Sequence, residues 1–174
     1  MTLASPDPPL SDGVVSLRAP DERDLGAIDQ GIHDPAVIRW FGQPDASAAE
    51  VLALNRQRWR DGSPTFAVCE IDDVCVGHVW INRTTQDPAV GSIGYWLLPA
   101  ARGQGLATRA VRLLTQWSVE RMGLTQLRLL TEPANHRSQR VAEASGFVRV
   151  GMLVGAGEVD GRSVDLILFT WPSI

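Results

Sequence analysis

Residues 102–108, Arg-Gly-Gln-Gly-Leu-Ala-Thr, stand between an apolar run ending at Leu97, Leu98 and Pro99 and a stretch of helical spacing that runs on to Gly123. Gly103 and Gly105 have no Cβ, so the backbone can curl until successive N–H groups point at one spot. A helix starting near Leu106 brings its positive dipole end to the same spot. The stretch therefore reads as a cradle for a pyrophosphate between a strand and a helix. Two other phosphate-binding patterns do not fit. A Walker loop needs Gly-Lys-Ser/Thr, and the chain contains no lysine. A dinucleotide fingerprint needs a third glycine in a unit near the start of the chain, and neither condition is met.

The rest of the chain sorts by period. Residues 1–12, with Pro6, Pro8 and Pro9, are expected to form a mobile tail, and residues 13–174 a single domain. A chain of 174 residues that is 44% hydrophobic can bury one sizeable core. Residues 14–18 alternate as an edge strand would. Pro20, Asp21, Glu22 and Asp24 open a short helix containing Leu25 and Ile28, and Asp34-Pro35 restarts a helical turn through Val37 and Ile38. Ser47 and Glu50 form a capping box for a helix reaching about Arg60. Strands follow over residues 65–71 and 74–82, joined at Asp72-Asp73, and over 92–98, giving an antiparallel meander. After the glycine turn, Leu106, Ala110, Leu113, Leu114 and Trp117 recur at helical spacing, so that helix must bury one face against a sheet. Residues 127–131 form a strand, Asn135 caps a helix that Gly146 ends, and residues 147–154 and 163–170 pair as a final hairpin around Asp160-Gly161.

The net charge of −4 and the scatter of the sixteen basic residues, all arginine, argue against a nucleic-acid partner. Residues 1–9 lack the character of a secretory signal and no apolar run is long enough to span a bilayer, so a soluble, cytoplasmic protein without a membrane partner is expected. Cys69 and Cys75 lie in strand-like apolar runs and read as core thiols. A disulfide across their hairpin is conceivable, but a chain with no export signal disfavours it. No His cluster or second cysteine pair suggests a metal.

The glycine turn resembles the coenzyme A loop of the GNAT acyltransferase superfamily, Arg/Gln-x-x-Gly-x-Gly/Ala, through Arg102, Gly105 and Ala107. Asn135 and Ser138, followed by Ser145-Gly146-Phe147, resemble the N-x-x-S and G-F signature of the branch that acetylates ribosomal-protein N-termini. Ile93-Gly94-Tyr95-Trp96-Leu97 is similar to that branch as well. The order of elements corresponds to the GNAT fold, an α/β (α+β) architecture whose mixed, mostly antiparallel sheet of about seven strands is flanked by about four helices.

The resemblance implies an N-acetyltransferase using acetyl-CoA as cosubstrate, with no metal. The acceptor would be a primary amine, on a protein N-terminus or a small molecule. Backbone N–H groups of Gly103, Gln104, Gly105, Leu106, Ala107 and Thr108, with Arg102, would then hold the pyrophosphate. The strand edge at Tyr95, Trp96 and Leu97 would pair with the pantetheine amides, and an N–H near Leu97 would meet the developing oxyanion. Asn135 would touch the pantetheine arm besides capping its helix. Ser138 would protonate the leaving thiolate, contact the coenzyme, or simply face solvent on its helix. A homodimer could form through the last hairpin or the strand at residues 14–18.

Some groups that many GNAT enzymes carry are missing. Ala142 stands where they have a tyrosine seven residues after the asparagine, Leu130 stands where some have a glutamate five residues before it, and Tyr95 is the only tyrosine. Glu70, His78, Glu132 and Glu158 are alternative bases or water-relay members. Residues 33–42, with Trp40 and Phe41 as walls, and the last hairpin loop are expected to set the acceptor. The competing class is a non-catalytic acyl-CoA-binding or sensing protein.

Overall fold

The computed structural model describes residues 3–42 and 44–172. Met1 and Thr2 of the expected tail, and Gln43, Ser173 and Ile174 of the expected domain, lie outside the described residues. The elements run β1 (Leu10–Ser11), β2 (Ser16–Arg18), α1 (Leu25–Ile32), α2 (Pro35–Phe41), α3 (Ala48–Arg60), β3 (Thr65–Cys69), β4 (Cys75–Arg83), β5 (Val90–Leu97), α4 (Leu106–Met122), β6 (Gln126–Thr131), α5 (His136–Ala144), β7 (Val148–Val159) and β8 (Arg162–Trp171). Short 3-10 turns at Glu22–Asp24 and Pro99–Ala101 lead into α1 and the glycine turn. The strands form one eight-stranded sheet in the order β1-β2-β3-β4-β5-β6-β8-β7. Every pairing is antiparallel except β5 with β6. The mixed α/β class matches the expectation, with one strand and one helix more than the sequence suggested.

The additional strand changes one reading. Leu10 and Ser11 pair with Leu17 and Ser16, so the strand near residues 14–18 is covered and is not an edge. The Asp12 carboxylate accepts the N–H groups of Val14 and Val15 at 3.0 Å each and closes the turn between the two strands. Regular structure thus starts at Leu10 rather than at Gly13. Among the described residues no helix is long and apolar enough to cross a membrane.

The main core lies where α4 packs on the sheet. Leu106, Ala110, Val111, Leu114 and Trp117 are buried along one face of α4, as the 3.6-residue period requires, and each large side chain so buried contributes about 1.5–3 kcal/mol. Trp59 of α3, Phe66 of β3 and Trp117 of α4 meet edge to face at 4.8–5.9 Å. At the rim, Arg18 holds the carboxylate of Asp24 through two 2.8 Å hydrogen bonds and so locks β2 to the turn before α1.

Two consequences of topology place the candidate site. β5 pairs with β6 only from Val90 to Ile93, opposite Gln126 to Leu129. Beyond that point β5 stays with β4 and β6 with β8, and the two strands part. Because β5 and β6 are parallel, the helices that follow them, α4 and α5, begin at the same end of the sheet. Both positive helix ends therefore converge where the strands separate.

Candidate active site

Between the separated strands lies a cleft of about 940 Å³. Of the residues singled out in the sequence, Tyr95, Trp96, Leu97, Arg102, Gly103, Gly105, Leu106, Ala107, Thr108, Asn135 and Ser138 line it, and Gln104 does not. The Gln104 amide instead donates to the Ala100 carbonyl at 2.7 Å and steadies the turn before the loop.

At the loop, Gly103 and Gly105 have φ of 79° and 77°. Gly105 is the N-cap of α4 and supplies no side-chain cap. The first N–H bonded back within the helix is that of Arg109, to the Gly105 carbonyl, so those of Leu106, Ala107 and Thr108 have no intrahelical acceptor. A Cβ built at Gly103 or Gly105 would meet no atom within 4 Å. The glycines thus answer to backbone conformation and open approach, and the loop fits an anion. Arg102 lines the cleft and is also held from within the protein. Its Nε donates to the Leu97 carbonyl at 2.8 Å and its Nη2 to Asp34 Oδ1 at 2.7 Å, tying the loop to the N-terminus of α2.

Along β5, the Leu98 N–H donates to Val76 of the β4 side at 2.8 Å. Successive residues of an extended strand point their N–H groups to opposite edges, so those of Tyr95 and Leu97 face the cleft. On the opposite wall, Asn135 Oδ1 accepts the Ser138 N–H at 3.1 Å as the cap of α5. Asn135 therefore both caps and lines. Ser138 does not simply face solvent. It is half-buried, and its Oγ accepts the Tyr95 hydroxyl at 3.2 Å. Burial pushes the Tyr95 phenol above its ordinary pKa, and the bond to Ser138 offsets part of that rise.

The cleft also carries aromatic and acidic groups. Trp40, Phe41, Trp96, Glu132 and Glu158 line it. Trp96 lies against α1 so closely that a Cβ on Gly31 would come within 2.5 Å of its ring, and Phe41 meets Trp80 edge to face at 5.3 Å. Among the four alternative bases, Glu132 and Glu158 line the cleft while Glu70 and His78 do not. Glu132 Oε1 is buried and accepts no hydrogen bond among the described residues. His78 lies behind Trp96, ring centroids 5.0 Å apart, with Nδ1 3.4 Å from the Asn55 amide nitrogen.

Cys69 and Cys75 are free, buried cross-strand neighbours that do not line the cleft. Among the described residues no cluster of His, Cys, Asp and Glu could hold a metal ion. Ala36 and Val37, within the expected stretch 33–42, line the cleft, while the sequence reading missed Arg137, Arg140, Val164 and Leu166. They carry no shared motif and meet only through the fold.

Known proteins are similar to this chain over most of its length. The chain is 26% identical over 149 residues to the spermidine N(1)-acetyltransferase of Escherichia coli K12, covering 85% of this chain and 80% of that protein. It is 26% identical over 172 residues to the aminoglycoside N(6')-acetyltransferase type 1 of Klebsiella pneumoniae, covering 90% and 84%. Mycobacterium smegmatis RimJ, solved in complex with CoA-disulfide, superposes with a TM-score of 0.80 at 26% identity, covering 92% of this chain and 85% of that one. Residues 15–148 match the family model described as an acetyltransferase (GNAT) domain. That match runs from the strand beside β1 to the first residue of β7, well over half of the chain, and the protein belongs to the GNAT acetyltransferase family.

Proposed function

We propose that this protein transfers an acetyl group from acetyl-CoA to a primary amine by direct attack in a ternary complex. The observation that carries the reading is the separation of β5 from β6, with the glycine turn and the α4 N-terminus on one wall and Ser138 on the other. The backbone N–H groups of residues 103–108 take the pyrophosphate. The exposed edge at Tyr95 and Leu97 pairs with the pantetheine amides as an added strand would. The Leu97 N–H, held where charge grows on the acyl oxygen, stabilises that charge. Asn135 positions the arm, and Ser138 gives a proton to the departing sulfur. Arg102 acts by fixing the loop and the Leu97 carbonyl.

The acceptor side suits an amine that arrives as an ammonium ion. Carboxylates at Glu132 and Glu158 and the rings of Trp40, Phe41 and Trp96 attract a cation, and either carboxylate serves to take its proton. The relatives named for spermidine and aminoglycosides support an amine acceptor; a protein N-terminus and a small molecule are both consistent with it. Neither cysteine lines the cleft, which supports transfer without a covalent enzyme intermediate. We also propose self-association through β7, the long edge strand.

Calorimetry with acetyl-CoA and free-thiol release across a panel of N-terminal peptides, polyamines and amino sugars test the function. Binding with release for at least one amine is expected. Tight binding with no release for any amine would point to a sensor, and absence of binding would remove the coenzyme reading altogether.

A further inference from the structure

We propose that Tyr95 stands behind Ser138 as its proton source, so that phenol and serine form a two-member relay aimed at the leaving sulfur. This rests on the reading of Ser138 as proton donor given above. The two side chains come from opposite walls of the cleft, β5 and the first turn of α5. They meet at 3.2 Å with the tyrosine hydroxyl donating to Ser138 Oγ. Either hydroxyl can donate across that distance, and the relay uses the arrangement in which the phenol does. Ser138 has one hydrogen of its own, and once its oxygen accepts from Tyr95 that hydrogen is left to point elsewhere along the cleft. A serine that protonates a thiolate unaided becomes an alkoxide, a far stronger base than a phenolate. With Tyr95 behind it, the negative charge passes through to the phenol.

The step balances. The thioester C–S bond breaks with its electron pair on sulfur, the Ser138 proton moves to that sulfur, and the Tyr95 proton moves to Ser138 Oγ. The proton that the amine nitrogen loses as the amide forms returns through solvent to the phenolate. The Tyr95 side chain, unlike its backbone N–H, acts only through Ser138, so it is a positioning and proton-supplying group. Its ring packs against the core in any case, and Phe at this position keeps that packing.

Tyr95 is the only tyrosine in the chain, so biosynthetic replacement of tyrosine by a ring-fluorinated, more acidic analogue alters this one phenol and no other. With an amine found in the panel above, Tyr95→Phe should lower kcat by roughly 10- to 100-fold and leave the KM for acetyl-CoA within about twofold. Combined with Ser138→Ala it should cost little beyond the single changes. In the fluorinated protein kcat should fall at alkaline pH where the parent still rises or stays level. A Tyr95→Phe protein with parental kcat beside a slow Ser138→Ala would overturn the relay and keep Ser138. A rise in KM alone would assign Tyr95 to holding the coenzyme and also end the relay. No thiol release from any amine would remove the enzyme reading itself, and the relay with it.

Discussion

At the scale of single residues, Gly105 shows what the loop demands. Its backbone is left-handed, at φ 77° and ψ 1°, which costs a residue with a Cβ about 1–2 kcal/mol. Packing within the protein adds nothing, since a Cβ there meets no atom within 4 Å. Gly105→Ala should therefore fold with a slightly lower melting temperature and lose at least about tenfold in acetyl-CoA affinity, equivalent to 1.4 kcal/mol. Calorimetry on the folded variant decides it, and parental affinity would take the cradle out of the coenzyme site. The glycine was legible because φ is a local property. The partner of Ser138 was not, because Tyr95 lies 43 residues away and no local pattern links them.

At the scale of elements, the tie between the glycine loop and α2 rests on Asp34. Its Oδ1 caps α2 through the N–H groups of Ala36 and Val37, at 2.9 and 3.0 Å, and accepts Arg102. Burial alone would raise its pKa, but the Arg102 guanidinium and the two capping N–H groups outweigh that and hold the carboxyl below its ordinary value. A carboxyl depressed in the folded state contributes its stability in full above the unfolded value of about 3.9. It loses that contribution as pH falls through the folded value. Asp34→Asn keeps a good cap but removes the charge, so it should cost about 1–3 kcal/mol at pH 7 and close to nothing in acid, once the parent carboxyl is protonated. Urea unfolding at the two pH values measures both, and a cost unchanged in acid would refute the ionic account. The last hairpin shows where element reading stopped short. Gly155, Ala156 and Gly157 resemble a loop, yet β7 continues to Val159. Between Leu153 and Gly157 it advances four residues while β8 moves two, from Leu166 to Val164. The Asp165 carboxylate accepts the Gly155 N–H at 2.8 Å and holds the bulge. Period-2 reading fails there because a bulge breaks the period.

At the scale of the whole molecule, the sheet has two unlike edges. β1 is two residues long, whereas β7 has twelve and exposes Val148, Val150, Met152, Leu153 and Val154, the last at 77%. Apolar side chains gathered on a long outer strand are the surface on which the proposed self-association rests, and a second copy of the chain would meet it symmetrically. Light scattering should give twice the chain mass, and Val150→Lys should return it to a single chain. A parent protein that is monomeric at working concentration would end this proposal.

The kind and order of nearly all elements, the glycine turn and the cap at Asn135 were determined by the sequence alone. They depend on periodicity, on backbone conformation and on contacts within about four residues. Tertiary structure decided that β5 leaves β6 after Ile93, that Arg102 reaches Asp34 across 68 residues, and that Trp40, Phe41, Glu132 and Glu158 share one cleft. These groups lie far apart along the chain. They meet because α4 returns the chain to a strand parallel to β5, so that α4 and α5 begin at the same end of the sheet, where β5 and β6 are no longer paired.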